Sequence, residues 1–578
     1  MERYSSSFQR IVLSGVTVSL KGKDIKKDIF CVSAIFAMFA VLVIRSFYGL
    51  DIGDESFCLA VTKRFADGSF PIVDDYTPAQ LYGLITALLY KLYMWIVPDG
   101  TGIILAGRIF QAVLVFFGGL YLYRHMVKFS GCRRSIALLS ALLFMFAKVS
   151  RIFGLGYYNL YIFFLVMGAL MLSEGGRIKS IIAGLCFSCC LLCMPFVVLV
   201  VIGLGFYFKK IGRLRDYWFM FFTGVVCMGI LAIYVLTHVS FSDIMSSVPY
   251  MLSHAKTRVN TYEISPSGIL DFVIMMVSYL TAYLFFDILF IIGIGFFKLK
   301  HRTLLIVFFI EWFVATFASI LFSMALLPDI AYLRLTVMGV FIVYIYPDMR
   351  KYKEALFYMV LGIAMSVAYS IGTAFMPATI SGLSISSVGA LMIFDKFADD
   401  DSEVRWLKAN EAICFCITII LGFALRSYAD EYFDKLTYKL DKGPGAGLYV
   451  SELSYKQTEG LFDLKDRIDE LDPLHGDSDI AISKAYMYGY LIFGRKINAC
   501  TTWNMPIDDK RNEFYYNGHK LPDILVLFDE DTGYKLRDAD YEKMNADNIK
   551  KGWLYDKLQS EYDCYRSDKA YIYVRSGL

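Results

Sequence analysis

The sequence predicts a polytopic α-helical membrane protein of about thirteen transmembrane helices, with interfacial helices in its first outer loop and a C-terminal α/β domain outside the membrane. Three observations carry this expectation. The chain has 578 residues, of which 57% are hydrophobic and only 19% charged, with a mean hydropathy of +0.52; soluble domains average about 25% charged residues. Long apolar runs recur from Asp28 to Leu425, separated by short basic clusters. From Tyr428 onward the balance reverses, with 28 acidic and 21 basic residues against 26 and 36 before it. A basic membrane part, 28–427, is therefore followed by an acidic domain-sized tail, 428–578, and preceded by a cytoplasmic segment, 1–27.

In chain order, the first span is Asp28–Gly49, behind Lys21, Lys23, Lys26 and Lys27. It is too long for a signal-peptide core, so no cleavable leader is expected. Ala79–Val97 is amphipathic, carrying Gln80, Lys91 and several tyrosines. The next spans are Ile103–Tyr123, Ser135–Val149, Tyr157–Leu172, Ser180–Met194, Pro195–Phe208 and Tyr217–Thr237. Gly268–Phe297, Thr303–Leu327, Ala331–Tyr346, Ala355–Phe375, Ser381–Phe394 and Glu411–Leu425 complete the series. Basic clusters at Lys21–Lys27, Arg124–Arg134, Arg177/Lys179, Lys209–Arg215, Lys298–Arg302, Arg350–Lys353 and Lys396–Lys408 mark cytoplasmic loops. Most share one side only if Ala79–Val97 lies in the interface instead of crossing. The N-terminus is then inside. The first loop, 50–101, faces outward with Arg151–Gly156, His238–Ser267, Pro328–Ile330, Met376–Ile380 and the tail.

In the tail, Leu448–Val450, Ile480–Ile482, Ile524–Phe528 and Ala570–Val574 read as strands, and Phe462–Leu471 and Tyr541–Lys550 as helices. Lys442-Gly443-Pro444-Gly445 reads as a turn. Most of the twelve cysteines lie in apolar runs, where they act as small hydrophobes, and Cys186–Cys193 has no nearby metal-ligand partners. Cys500 and Cys564 are the tail's only pair and are open to bonding in an oxidising compartment.

Chemistry concentrates just after the first span, in Leu50-Asp51-Ile52-Gly53-Asp54-Glu55-Ser56. Crowded carboxylates at an apolar boundary raise one another's pKa, which can make one a base near neutral pH. On charge alone the cluster reads equally as a solvated acidic cap. The run continues with Phe57, Leu59, Ala60 and Val61, then Phe65-Ala66-Asp67-Gly68-Ser69-Phe70-Pro71, Asp74-Asp75-Tyr76-Thr77-Pro78 and Leu81-Tyr82, with Arg108 near the start of the next span.

Over roughly residues 28–125 this pattern resembles the first outer loop of the C-type (GT-C fold) glycosyltransferases that use polyprenyl-phosphate sugars. It is most similar to the protein O-mannosyltransferases and the lipid A aminoarabinose transferases. The resemblance implies that Asp54 is the catalytic aspartate, Glu55 its acidic neighbour and Arg108 the arginine near the second span. Two departures stand out. Tyr76-Thr77-Pro78 replaces the aminoarabinose enzymes' Glu-Lys-Pro, and the mannosyltransferases' His-Pro-Pro is missing. Donor-phosphate contacts must then differ, and neither group's sugar carries over.

What the resemblance implies is an inverting transfer of a sugar from a polyprenyl-phosphate donor to a hydroxyl acceptor, which is an envelope glycan, lipid or protein, beside the bilayer. Asp54 would take the acceptor proton, and the leaving phosphate needs cations more than an acid. No nucleic-acid partner and no resident metal or other cofactor is expected, although Asp74 and Asp75 with Asp54 and Glu55 have the hard-oxygen character a divalent cation takes. Asp51, Asp75, Tyr82 and Arg108 complete the substrate-binding candidates of the first loop and second span. Arg334, in Leu333-Arg334-Leu335, either faces a polar cavity or snorkels to headgroups. Arg151 either meets substrate or sits at the interface, and His254, Lys256 and Arg258 in the long outer loop either meet substrate or stay solvated. Asn159 and Lys148 read as interhelical and interfacial groups. The competing class is a transporter or flippase of a lipid-linked glycan, against which stand the large tail and the lack of an internal repeat. A bacterial cell-membrane setting follows from the resemblance.

Overall fold

A computed structural model describes residues 22–77, 79–147, 154–253, 327–373, 380–399, 427–428, 431–432, 435–472, 474, 476–483, 487–503, 505, 510–528, 552–567 and 570–577, with isolated positions between 274 and 312. The membrane part is a helical bundle: α1 Gly22–Ser46, α2 Asp54–Ala66, α3 Tyr82–Ile96, α4 Ile103–Lys128, α5 Arg134–Phe146, α6 Tyr157–Glu174 and α7 Arg177–Cys193. It continues with α8 Val198–Lys210, α9 Leu214–Leu236, α10 Phe241–Ser253, α11 Leu327–Ile345, α12 Lys353–Thr373 and α13 Ile380–Asp399. Pro195, fixed at a φ suited to a helix start, opens a 3-10 turn, Pro195–Val197, that leads into α8.

Within the described residues, four helices have the length and apolarity to cross a membrane: Lys26–Ser46, Ile103–Lys128, Tyr157–Glu174 and Leu214–Leu236. Three of the expected spans, Gly268–Phe297, Thr303–Leu327 and Glu411–Leu425, lie outside the described residues apart from isolated positions. α5 is shorter than its expected span and almost wholly buried, from Ile136 to Phe146. At about 1.5 Å per residue it is roughly 20 Å long. α10 falls where an irregular loop was expected, and Pro249 lies within it.

α3 falls within Ala79–Val97, the segment expected in the interface. Its 15 residues reach about 22 Å, short of a hydrocarbon core of about 30 Å. One face packs on α2 through Gly83, where an added Cβ would lie 2.5 Å from the Phe65 ring. Thr62 and Thr86 share a hydroxyl hydrogen bond of 2.6 Å across the same contact. The opposite face leaves Leu88, Leu92, Trp95 and Ile96 exposed, with Trp95 at 81%.

α11, α12 and α13 form the tightest helical cluster. Gly339 of α11 faces Ala390 of α13, and Gly362 of α12 faces Gly382 and Ser386 of α13. Small residues let helix backbones approach where lipid supplies no hydrophobic drive.

The tail is a mixed α/β layer. A hairpin of β3 Tyr438–Lys439 and β4 Tyr449–Val450, antiparallel, turns through 443–447. β1 Ser427–Tyr428 and β2 Glu431–Tyr432 form a small pair before it. The main sheet has the order β5-β6-β8-β7, from β5 Ile480–Ser483, β6 Ile524–Phe528, β7 Tyr562–Arg566 and β8 Ala570–Arg575. β5 and β6 are parallel, and the other pairs antiparallel. Four helices accompany it: α14 Glu452–Leu471, α15 Met487–Phe493, α16 Lys510–Gly518 and α17 Trp553–Glu561. Ser451 caps α14 by accepting from the Ser454 amide, and Leu461, Leu464 and Ile468 give it one buried stripe. β6 is buried at every position, as an apolar run in a covered strand requires. The expected helix Tyr541–Lys550 lies outside the described residues.

Cys500 is fully buried, its thiol donating to Asn512, and Cys564 lies on the exposed strand β7, so the two are not bonded to each other. The disulfide that the sequence left open is thus not formed. Tyr488 and Tyr490 are buried, Tyr490 accepting from the Ile482 amide through its hydroxyl, so they build core.

A methyl added at Gly362 would lie 2.6 Å from the Gly382 carbonyl oxygen, whereas one at Gly203 of α8 meets nothing within 4 Å. Gly362→Ala should therefore destabilise the protein by about 1–3 kcal/mol. Gly203→Ala should leave it unchanged or slightly more stable. Thermal unfolding of both variants in one detergent checks the pair.

Candidate active site

The site is built around α2, the 13-residue helix that follows the first membrane helix. Asp51 starts it. Its Oδ1 accepts from the Gly53 amide at 2.9 Å, and its carbonyl accepts from the Ser56 hydroxyl at 2.8 Å. Asp54 and Glu55 then fall in the first turn and Lys63 and Arg64 in the last, the arrangement a helix dipole favours. Asp54 is half-buried, whereas Glu55 is 2% exposed.

Glu55 is held by Arg108 of α4. Arg108 Nε donates to Oε1 at 2.8 Å and Nη2 to Oε2 at 2.5 Å. The Gly154 amide also donates to Oε1 at 3.0 Å. The remaining terminal nitrogen of Arg108 donates to the carbonyls of Ser46 and Tyr48 at the end of α1. One fork thereby joins α1, α2, α4 and the approach to α6. Asn159 holds that approach by donating to the Gly154 carbonyl at 2.8 Å. Arg108, expected against substrate, spends its fork on the protein itself, and Glu55 is a paired carboxylate.

Tyr82 is buried and donates to the Cys58 carbonyl at 3.0 Å, one turn past Asp54. Its ring lies 5.5 Å from that of Tyr157 at the start of α6. Burial, with smaller contributions from the charges of Asp54 and Glu55, pushes the Cys58 thiol well up, so it stays protonated and is no nucleophile at neutral pH. Asp54, in the first turn, is half-buried, in contrast to the buried, Arg108-paired Glu55.

Asp75 serves a different purpose from the one expected. It is fully buried, with Oδ2 3.6 Å from Arg64 Nη1. Its oxygens accept from the Thr77 amide at 2.9 Å and from the Thr502 hydroxyl at 2.6 Å. Arg64 reaches further into the tail, donating to Thr502 Oγ1 at 3.1 Å, the Ala499 carbonyl at 2.6 Å and the Tyr515 hydroxyl at 3.2 Å. It also donates to the Asp74 carbonyl. Around this centre the Tyr76 amide donates to the Cys500 carbonyl, Thr77 and Thr501 share a hydroxyl bond, and Phe57 meets Trp503 edge-on at 4.8 Å. Lys63 donates to the Arg495 carbonyl at 2.7 Å. Tyr250 of α10 stacks on Phe514 at 3.9 Å, beside Tyr76. The tail and the first loop are thus one packed unit. Arg64 and Thr502 carry no local signal in the sequence, because Arg64 meets its tail partners, and Thr502 its first-loop partners, across more than 400 residues.

Asp74 pairs with His519 at 3.0 Å and accepts from the Phe70 amide at 2.6 Å. With Asp74 and Asp75 so engaged, the four carboxylates considered for a divalent cation do not converge. No group of three metal-ligating side chains occurs among the described residues. Arg334 is buried on α11, beside Tyr332, whose hydroxyl donates to the Leu143 carbonyl. Lys148, Arg151, His254, Lys256 and Arg258 lie outside the described residues.

No family model matches the chain, and no curated protein matches it. Two solved structures are similar to it over 95% of its length. One is the archaeal oligosaccharyltransferase AglB from Archaeoglobus fulgidus in complex with an inhibitory peptide and a dolichol-phosphate, at 12% identity, a TM-score of 0.47 and 75% of that chain. The other is the Archaeoglobus fulgidus oligosaccharyltransferase tethered with an acceptor peptide containing the NVT sequon, at 12% identity, a TM-score of 0.44 and 74% of that chain. At this identity neither likeness transfers an activity or a residue role.

Two outcomes follow from the geometry. Arg108→Met leaves Glu55 buried without its cation and should cost about 3–5 kcal/mol, most of it recovered when Glu55→Leu is added. Thermal unfolding of both single variants and the double variant measures this. Burial works to raise the Asp74 carboxyl, but the His519 contact, the Phe70 amide and the charge of Arg64 together hold it below its usual value. A lowered folded pKa stabilises above the unfolded value, near 3.9, and that stability is lost as pH falls through the folded one. Wild type should therefore exceed Asp74→Asn in unfolding midpoint at neutral pH, and the gap should close only below the ordinary carboxylate range.

Proposed function

We propose that the chain is an inverting glycosyltransferase that moves a sugar from a polyprenyl-phosphate donor to a hydroxyl acceptor at the outer membrane face, with Asp54 as general base. The observation that carries this reading is the placement of Asp54. It opens a short rigid helix directly after the first membrane helix, half-exposed, while the adjacent Glu55 is locked to Arg108. A base needs a fixed position and access to its substrate, and a half-exposed place in the first turn of a short helix supports both. The donor class comes from the resemblance of the first outer loop to the polyprenyl-phosphate-sugar enzymes.

In the reaction, the acceptor oxygen forms a bond to the anomeric carbon as the bond from that carbon to the phosphate oxygen breaks. Asp54 takes the acceptor proton, and polyprenyl phosphate leaves with the bonding electrons. A single displacement inverts the anomeric centre and uses no protein nucleophile, which agrees with the protonated state of Cys58. Glu55 and Arg108 hold the helix end that carries the base. No step needs a metal, and the carboxylates near Asp54 are already occupied by protein donors.

Release of free polyprenyl phosphate from a labelled polyprenyl-phosphate hexose tests the proposal. Membranes carrying wild type should release it, and Asp54→Asn should lower release by roughly 10²-fold or more. Equal release by the two would remove Asp54 from the chemistry. No release across a panel of hexoses would remove the donor class and favour transport of a lipid-linked glycan.

A further inference from the structure

Arg64 lies ten residues beyond Asp54 on α2, or about 15 Å along the helix axis, too far to touch the reacting atoms. It is nonetheless among the largest fully buried side chains of the protein. Its guanidinium meets three groups of the tail, at Thr502, Ala499 and Tyr515, and two of the first loop, at Asp74 and Asp75. Thr502 completes the centre, since its one hydroxyl donates to Asp75 at 2.6 Å and accepts from Arg64 at 3.1 Å. Burying a guanidinium and a carboxylate is tolerated where hydrogen bonds hold them, and here both terminal nitrogens of Arg64 and both oxygens of Asp75 are engaged, although Arg64 Nε has no hydrogen-bond partner. The eleven helical residues from Asp54 to Arg64 connect this centre to the base.

We infer that Arg64 and Thr502 are positioning residues through which the C-terminal domain sets the placement of the Asp54 helix. The tail is then part of the catalytic machinery without contributing a group to the chemistry. The kinetic half of this inference rests on the proposed transferase reaction, whereas its structural half does not.

Thr502→Val is close in size and removes only the bridging hydroxyl, and Thr502→Ser restores it. In the full-length purified protein, Thr502→Val should lower kcat by roughly 10- to 100-fold while donor KM stays within about twofold. Thr502→Ser should stay near wild type, and Arg64→Lys should behave like Thr502→Val. Hydrogen exchange gives the readout independent of activity. Amides at 54–58 and at 499–503 should exchange together, about tenfold faster, in Thr502→Val and Arg64→Lys. They should not do so in Gly362→Ala, which loosens a distant helix contact. If 54–58 keeps wild-type protection in both tail-centre variants, the inference is overturned whatever the activity. If kcat also stays at the wild-type value, the tail is only a passenger. If wild type transfers no sugar, the functional proposal falls and exchange alone decides this one.

Discussion

The architecture depends on two buried guanidinium groups, one at each end of the helix Asp54–Ala66. Arg108 binds Glu55 at the first turn, and Arg64 binds Asp75 and the tail at the last. Buried ion pairs add little net stability, because desolvation offsets most of their attraction. Their strength lies in directionality. A planar fork accepts partners only along fixed directions, so each pair fixes an angle as well as a distance. An apolar contact of the same area would let the helix slide. Two forks about 15 Å apart along the axis leave neither sliding nor rotation.

The two clamps close chain loops of very different length. The Arg108–Glu55 pair closes 53 residues, within the first two membrane helices and the loop between them. The bonds from Arg64 to the tail close 435 and more. For a free chain, the logarithmic closure term for the longer loop is about 5 kcal/mol against about 3.5 for the shorter. The first clamp needs only local chain, whereas the second needs the tail. The hairpin 438–450 shortens the search. Tyr449 pairs with the end of α1 through the Phe47 carbonyl and the Gly49 amide, and the Gly443 and Pro444 carbonyls cap the start of α4. Docked at those two points, the tail arrives already facing α2.

The sequence exposed this design unevenly. Apolar runs gave α1, α4, α6 and α9 because a membrane helix is a one-dimensional signal, readable without partners. Ile524–Phe528 was readable to the residue, since a strand covered on both faces is a plain apolar run. The acidic turn Asp51–Glu55 was readable as a functional candidate, and the resemblance separated Asp54 from its neighbours. Asp75, Tyr82 and Arg108 stood out in the sequence, but the partners they meet in the fold did not. A buried charge and a substrate-binding charge have the same sequence signature, and only the partner tells them apart. Arg64 and Thr502 gave no signal for the same reason in stronger form, because every feature that makes them important lies in three dimensions. The strand Tyr562–Arg566 was missed because its pattern is largely exposed, with one buried position in five.

The same accounting bears on the donor phosphate. Among the described cations near the end of α1 and along α2, Arg45 donates to the Tyr48 carbonyl, Lys63 to Asp67 and the Arg495 carbonyl, Arg64 to the tail, and Arg108 to Glu55. Withdrawing any of these to bind a phosphate would break the clamps that hold Asp54 in place. A transferase of the proposed kind then draws its phosphate cations from elements other than α2 and its supports. Arg334 on α11 and the basic residues Arg151, His254, Lys256 and Arg258 are the ones the sequence supplies. An in-line displacement asks for cations on the side opposite the base, because the acceptor enters on one face of the anomeric carbon while the phosphate leaves from the other.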